Sequence, residues 1–245
     1  MRYYLAPMEG ITTHIYRNAY HRYYMPMDKY FTPFLVPHRK KGFSTKELNE
    51  ILPDHNKGMD LVPQILSNHA EGFLDTVKKL QRFGYKEINL NLGCPSKTVV
   101  SKYRGAGFLA KPEELEKFLD RIYSEAEAEI SIKTRIGKNS AEEFERILGI
   151  YNKYPVKELI IHPRVQRDFY KNEPKLSVFA EAVRESKNPL CYNGDIFTVL
   201  DCQKIKEEFP QLPAVMLGRG IISNPGLLEE IRGKERDMEK LRAFM

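Results

Sequence analysis

EINLNLGCPSK, Glu87 to Lys97, alternates apolar and polar residues as far as Leu92 and then breaks at Gly93-Cys94-Pro95. PEELEKFLDRIYSEA follows from Pro112, and then EISIKTRIG, Glu129 to Gly137. The first and last of these segments read as strands. The middle one has helical apolar spacing, opened by a proline and an acidic first turn. Strand, helix, strand is the signature of a parallel pair joined by a crossover. The unit repeats outward along the chain. RYYLAPM, KYFTPFL, DLVPQIL, EINLNLG, EISIKTRIG, ELIIHP, PLCYNG and AVMLGRG are candidate strands, and helical patterns such as AEEFERILGIYNKY from Ala141 lie between them. Eight such units within 245 residues predict an α/β fold, a (β/α)8 TIM barrel.

A doubly wound dinucleotide fold should show G-x-G-x-x-G after its first strand, where this chain has APMEGIT with a single glycine. Walker A, H-E-x-x-H and G-x-S-x-G patterns are absent, which argues against nucleoside triphosphate and common hydrolase chemistry. The composition, 42% hydrophobic and 29% charged, is that of a globular domain rather than a disordered chain. No apolar run is long enough for a membrane span and no signal-peptide pattern opens the chain, so a cytoplasmic protein without membrane attachment is expected. Cys94, Cys191 and Cys202 show no C-x-x-C spacing, which predicts free thiols and no metal site. The net charge of +6 is compatible with a polyanionic partner without requiring one.

In such a barrel the reacting groups sit where strands end and lead into helices. There the sequence places Met8 and Glu9, Gln64, Asn91 and Cys94, Lys133 and Arg135, His162 and Arg164, Asn193 to Asp195, and Gly218 with Arg219. Lysine, asparagine and glutamine inside apolar strands need partners, so either a bound polar ligand or internal hydrogen bonding is implied. For Lys133, placed at the barrel mouth by IKTRIG, a ligand is the favoured reading. YNGDIF and MLGRGIISNPG, after the last two strands, carry glycines of the kind that let backbone amides approach a phosphate. Cys191, inside a strand, and Cys202, on a helix pattern, read as core residues.

APMEGIT, VPQIL, NLNLGCPSK, IKTRIG, IHPR, YNGDI and LGRG occur in this order at barrel spacing, and with them the chain resembles the tRNA-dihydrouridine synthases from Tyr3 to about Gly226. The resemblance implies a flavoprotein that binds FMN in the barrel mouth and uses NADPH to reduce the C5–C6 bond of particular uridines in tRNA. By matching segments, Pro7, Met8 and Glu9 would border the flavin, and Gln64 and Lys133 would contact its ring. His162, Asn193, Gly194, Asp195, Gly218 and Arg219 would hold the ribityl chain and phosphate. Cys94 would be the catalytic acid, giving a proton to C5 while flavin N5 gives hydride to C6. That role requires a thiol that stays protonated until transfer.

RNA binding requires basic groups around the same mouth. Lys97, Lys102 and Arg104 follow Cys94, Arg164, Arg167 and Lys171 follow the sixth strand, and Arg39, Lys40 and Lys41 follow the second. Of these, Lys97, Arg104 and Arg164, with Arg135, are the expected tRNA contacts, and Asn91 is expected to hold the extruded uracil. The competing readings are an FMN-dependent reductase of a free pyrimidine or other small unsaturated substrate, and an RNA-binding barrel without turnover. Residues 1–232 are expected to form the catalytic barrel. Residues 233–245 would begin the helical domain with which family members continue, so that this domain is largely absent, as is a hairpin plugging the barrel bottom. A monomer is expected.

Overall fold

A computed structural model of the protein describes residues 1–38 and 42–244. The basic triplet Arg39, Lys40 and Lys41, expected at the rim, lies outside the described residues. Nine short strands, β1 (Arg2–Leu5), β2 (Lys29–Phe31), β3 (Leu61–Val62), β4 (Gln64–Ile65), β5 (Glu87–Leu92), β6 (Glu129–Gly137), β7 (Leu159–Val165), β8 (Leu190–Tyr192) and β9 (Ala214–Leu217), form one sheet in the order β3-β2-β1-β9-β8-β7-β6-β5-β4. Every adjacent pair is parallel. The two ends of that order, β3 and β4, are separated in sequence by Pro63 alone, so the sheet closes on itself as a barrel.

All eight expected strands are present, and one of them is divided. Pro63 has no N–H to donate, yet its carbonyl accepts from the Asn89 amide at 2.9 Å, and the ladder passes from β2 to β5 across it. Pro33 likewise ends β2 early, and Leu35 returns only as an isolated bridge to Ile65. Around the barrel run α1 (His14–Tyr23), α2 (Thr45–Ile51), α3 (Ala70–Gln81), α4 (Lys97–Val100), α5 (Pro112–Glu125), α6 (Glu143–Tyr151), α7 (Leu176–Glu185), α8 (Val199–Glu208), α9 (Arg219–Ser223), α10 (Leu227–Ile231) and α11 (Met238–Phe244). Helix α5 shows why these segments are helical. Leu115, Phe118, Leu119 and Ile122 are buried on one face, each contributing roughly 1.5–3 kcal/mol, while the acidic first turn faces the amino end of the helix. Among the described residues no helix is long and apolar enough to cross a membrane.

Strand alternation sorts the barrel interior into three levels. Tyr4, Ala6, Phe31, Val62, Ile160, Cys191, Ala214 and Met216 form a closed apolar cluster separate from the outer core. Two residues earlier on the strands lie charged groups: Lys29 bonds Glu87 at 2.8 Å, and Glu158 accepts from the Tyr4 hydroxyl at 2.8 Å and from Arg2 at 3.0 Å. Two residues later lie Gln64, His162 and Asn193. The same side-chain direction that buries an aliphatic floor therefore aims a polar set at the C-terminal opening. Three non-glycine residues with positive φ, Tyr103 (50°), Phe169 (49°) and Asp195 (29°), lie on loops of that opening. Each such conformation costs of order 1–3 kcal/mol and persists only where packing imposes it. Beyond the barrel, α11 packs on α1 through Phe244, whose ring meets Tyr16, Tyr23 and Tyr24 edge-on at 5.1–6.2 Å.

Glycine is required at Gly220, where an added Cβ would lie 2.0 Å from the Ile196 carbonyl oxygen. Gly220→Ala is expected to lower unfolding free energy by about 1–3 kcal/mol in urea titration. Gly149→Ala, with open space around the new methyl inside α6, is expected to raise it by about 0.5–1 kcal/mol.

Candidate functional site

A cavity of about 480 Å³ opens at the C-terminal end of the barrel, within the range of small-molecule sites. Pro7, Met8, Glu9, Gln64, Asn91, Cys94, Lys133, Arg135, His162, Asn193, Gly194, Asp195, Gly218 and Arg219 all line it. The strand ends therefore bring fourteen of the expected residues to one cavity. Lys97 and Arg104 lie outside the cavity on the loop after Cys94, Lys97 exposed and Arg104 half-buried with its Nε donating to Asn68 Oδ1 at 3.3 Å.

The Cys94 turn is held at nearly every backbone polar atom. Asn91 Oδ1 accepts from the amides of both Gly93 and Cys94 at 3.0 Å. The Gly93 carbonyl accepts from Arg135 Nε at 3.1 Å, that of Cys94 from the Ala106 amide at 3.1 Å, and that of Pro95 from Gln166 Nε2 at 2.9 Å. Asn91 is itself fixed from below. Its Nδ2 donates to Gln64 Oε1 at 2.7 Å, Gln64 Nε2 to Asn89 Oδ1 at 2.8 Å, and Asn89 Nδ2 to Ser131 Oγ at 2.9 Å. The strand amides and the ligand-facing wall are thus one polar chain. Each polar group of Gln64 has an internal partner, and one N–H of Gln64 Nε2 and one of Asn91 Nδ2 remain for a ligand.

Burial pushes the Cys94 thiol above its ordinary pKa, more than the Ser96 amide and the charges of Arg135 and Lys133 pull it down. The side chain is a neutral thiol at physiological pH. Among the described residues Lys133 has no carboxylate partner. Its Nζ donates to Asn193 Oδ1 at 2.7 Å, and burial, then the nearby Arg135, lowers its pKa to about 8. Asn193 is oriented in turn by donating to the Met216 carbonyl at 2.8 Å. His162 is buried, and its pKa falls well below the ordinary value, first through burial and then through Arg135, Lys133 and Arg164. Arg164 Nη1 lies 3.0 Å from His162 Nε2. A guanidinium can only donate, so Nε2 is the acceptor and the ring proton sits on Nδ1.

Arg164 was expected to follow its strand and meet phosphate from solvent. It lies within β7 instead, 1% exposed, because the strand runs on to Val165 and side-chain alternation turns position 164 inward after His162. Its fork grips Asp195 through both Nη atoms, and Arg219 reaches the same carboxylate. Burial alone would raise the Asp195 pKa, but these two guanidiniums, Arg164 foremost, hold it below the ordinary value. Arg135 is equally deep. Besides Gly93 it donates to the carbonyls of Val165 at 2.8 Å and Phe169 at 2.6 Å, so it ties the Cys94 turn to the loop after β7.

That loop contributes what the sequence reading missed. The Tyr170 ring, half exposed at the mouth, lies 5.3 Å from the Arg135 guanidinium and 4.6 Å from that of Arg219, and Phe197 flanks Arg219 on another side at 5.1 Å. An aromatic residue beside a cluster of basic ones in PRVQRDFYKNEPK was the available signal. Asn89 was signalled only by its alternation with Asn91, and Gln166 by nothing local. Among the described residues no group of three or more His, Cys, Asp or Glu side chains could hold a metal ion.

The chain resembles a morphinone reductase in complex with tetrahydroNAD at a TM-score of 0.66 and 11% identity, covering 98% of this chain and 89% of that one, a likeness of fold. It is 27% identical over 241 residues to a "Probable tRNA-dihydrouridine synthase" of Staphylococcus aureus (strain COL), covering 92% of this chain and 70% of the relative. It is also 27% identical over 239 residues to the "tRNA-dihydrouridine(16) synthase" of Aquipseudomonas alcaligenes, covering 93% and 74%. The family model described as Dihydrouridine synthase (Dus) matches residues 4–243. With nearly the whole chain spanned by that match, the protein is an oxidoreductase enzyme that belongs to the dihydrouridine synthase family.

Proposed function

We propose that the protein reduces the C5–C6 double bond of specific uridines in tRNA, with FMN bound in the barrel mouth and NADPH as electron donor. The observation that carries this reading is the neutral Cys94 thiol, fixed by Asn91 and Arg135 on the wall of the cavity that also contains Lys133. The cavity suits an anionic cofactor. Lys133, Arg135 and Arg219 face it against Glu9 and Asp195, and Glu9 is drawn toward Lys46 at 3.1 Å. Lys133, a half-buried ammonium whose partner is the Asn193 side-chain oxygen, would sit against the flavin ring with Gln64. His162, Asn193, Gly194, Asp195, Gly218 and Arg219 would hold the ribityl and phosphate groups, with Pro7, Met8 and Glu9 at the border. When bound, FMN supplies hydride to C6 of the pyrimidine.

Cys94 supplies the proton at C5. A thiol held neutral by burial is suited to this, whereas a preformed thiolate would have no proton to give. Because the backbone of the turn is anchored on both its amide and carbonyl sides, the sulfur is carried on a rigid support rather than a mobile loop. The remaining N–H of Asn91 would hold the uracil after its extrusion from the stack. Exposed Lys97, Lys102, Arg167 and Lys171, with Arg104, lie on the loops after β5 and β7 and would meet tRNA phosphates, giving salt-dependent binding. Arg135 and Arg164, expected to join them, are read as positioning residues for the Cys94 turn and for Asp195. We assign catalysis to residues 1–232, with α11 docked on the barrel through Phe244, and place the enzyme in the cytoplasm as a monomer. A free pyrimidine is the alternative substrate, and it would leave the basic rim without use.

Incubation with NADPH and unmodified tRNA, followed by mapping of dihydrouridine, tests the reading. The wild type is expected to modify uridine, and Cys94→Ala to be slower by about 10²–10⁴-fold while keeping its flavin absorbance. Reduction of free uracil in preference to tRNA, or full activity of Cys94→Ala, would overturn it. Lys133→Met is expected to weaken flavin retention during gel filtration, read at the visible flavin band.

A further inference from the structure

The loop leaving the Cys94 turn displays a side chain that neither the cavity nor the barrel core uses. Tyr103 comes just after the single turn of α4, and its backbone is left-handed at φ 50°. Its amide donates to the Val100 carbonyl at 2.9 Å and the next amide, of Arg104, to the Val99 carbonyl at 3.2 Å, which closes a helix C-terminus of the kind usually ended by glycine. Glycine would adopt this conformation without strain. The tyrosine is not retained to fill the core, since it is 45% exposed and belongs to neither apolar cluster.

Two ammonium groups flank the ring, and one of them, Lys111, also bonds Glu114 at 2.8 Å. Lys111 Nζ lies 4.2 Å and Lys138 Nζ 5.9 Å from its centroid, one from the start of α5 and the other from the end of β6. Lys97 and Lys102 are exposed on the same loop. The platform is also rigidly joined to the cavity wall. Two residues on, Gly105 is pressed so closely on the Cys94 turn that a Cβ there would lie 2.8 Å from the Cys94 carbonyl oxygen. An exposed aromatic face among ammonium groups, on the rim of a cavity that would receive a nucleotide, matches a stacked base whose flanking phosphates meet lysine.

We propose that Tyr103 is a nucleobase-stacking platform for an unpaired nucleotide of the RNA substrate outside the catalytic cavity, with Lys111 and Lys138 contacting the adjoining phosphates. This rests on the reading of tRNA as substrate. An acidic peptide would satisfy the lysines but would leave the strained aromatic unexplained.

The test uses the full chain and unmodified tRNA at fixed ionic strength, with thermal unfolding run alongside. Tyr103→Gly relieves the left-handed strain, so its melting temperature is expected to equal or exceed that of the wild type. Its Kd for tRNA is expected to rise roughly 5- to 100-fold. The slope of log Kd against log salt is expected to be unchanged, because no charge is removed. Tyr103→Phe should bind within about twofold of wild type, since the aromatic face is kept. Should Tyr103→Gly fail to fold, Tyr103→Asn, which also tolerates this conformation, serves in its place. A folded variant that binds tRNA as the wild type does overturns the inference alone. Equal weakening toward poly-glutamate overturns base stacking in favour of a polyanion patch. A wild type that binds no tRNA overturns the substrate reading, and this inference with it.

Discussion

A buried guanidinium cannot lose its proton, so the chain around Arg135 must supply acceptors, and much of the site follows from where they come from. Gly93, Val165 and Phe169 give their carbonyls to it. One side chain on β6 therefore sets the relation between the Cys94 turn and the loop after β7. The left-handed backbone at Phe169 is part of that arrangement, since it turns a carbonyl toward Arg135 and brings the next residue, Tyr170, over the guanidinium. Breaking a buried charge network of this kind typically costs 3–5 kcal/mol, which exceeds the strain stored at Phe169 and lets the strained conformation persist.

The electrostatics of the mouth are divided by depth. On the Asp195 side, two arginines share one carboxylate, which leaves one positive charge in excess. On the Lys133 side there is an ammonium whose partner is an amide oxygen, and beside it a thiol kept neutral by burial. A site built this way favours an anion beside the lysine and a proton on the sulfur. Neither feature would follow from the net charge of the chain.

The barrel was legible because its strands are short, patterned and separated by helices with clear faces, as in EISIKTRIG and the α5 segment. Period two along those strands also indicated which polar residues share the mouth, since Gln64, His162 and Asn193 follow the inward-facing apolar residues Val62, Ile160 and Cys191. What was not legible depends on contacts between distant segments. Pro63 divides a strand that hydropathy reads as continuous, because the ladder's needs at that position are set by β2 and β5. Arg164 looked like a loop cation and is a buried one, because β7 runs on past Pro163. Asn91 looked like a ligand group and proves to be first a support for two amides, and nothing near Gln166 in sequence announces its bond to Pro95, 71 positions away.

In the proposed reaction the fold keeps Cys94 as an anchored proton donor rather than a nucleophile. The most direct measurement is the rate of iodoacetamide alkylation of Cys94 in the native protein as a function of pH, located by peptide mass; Cys191 and Cys202 are both fully buried. The account expects slow modification at neutral pH and a midpoint above the ordinary thiol value, as burial dictates. Rapid modification with a midpoint at or below neutrality would reveal a stabilised thiolate and contradict it.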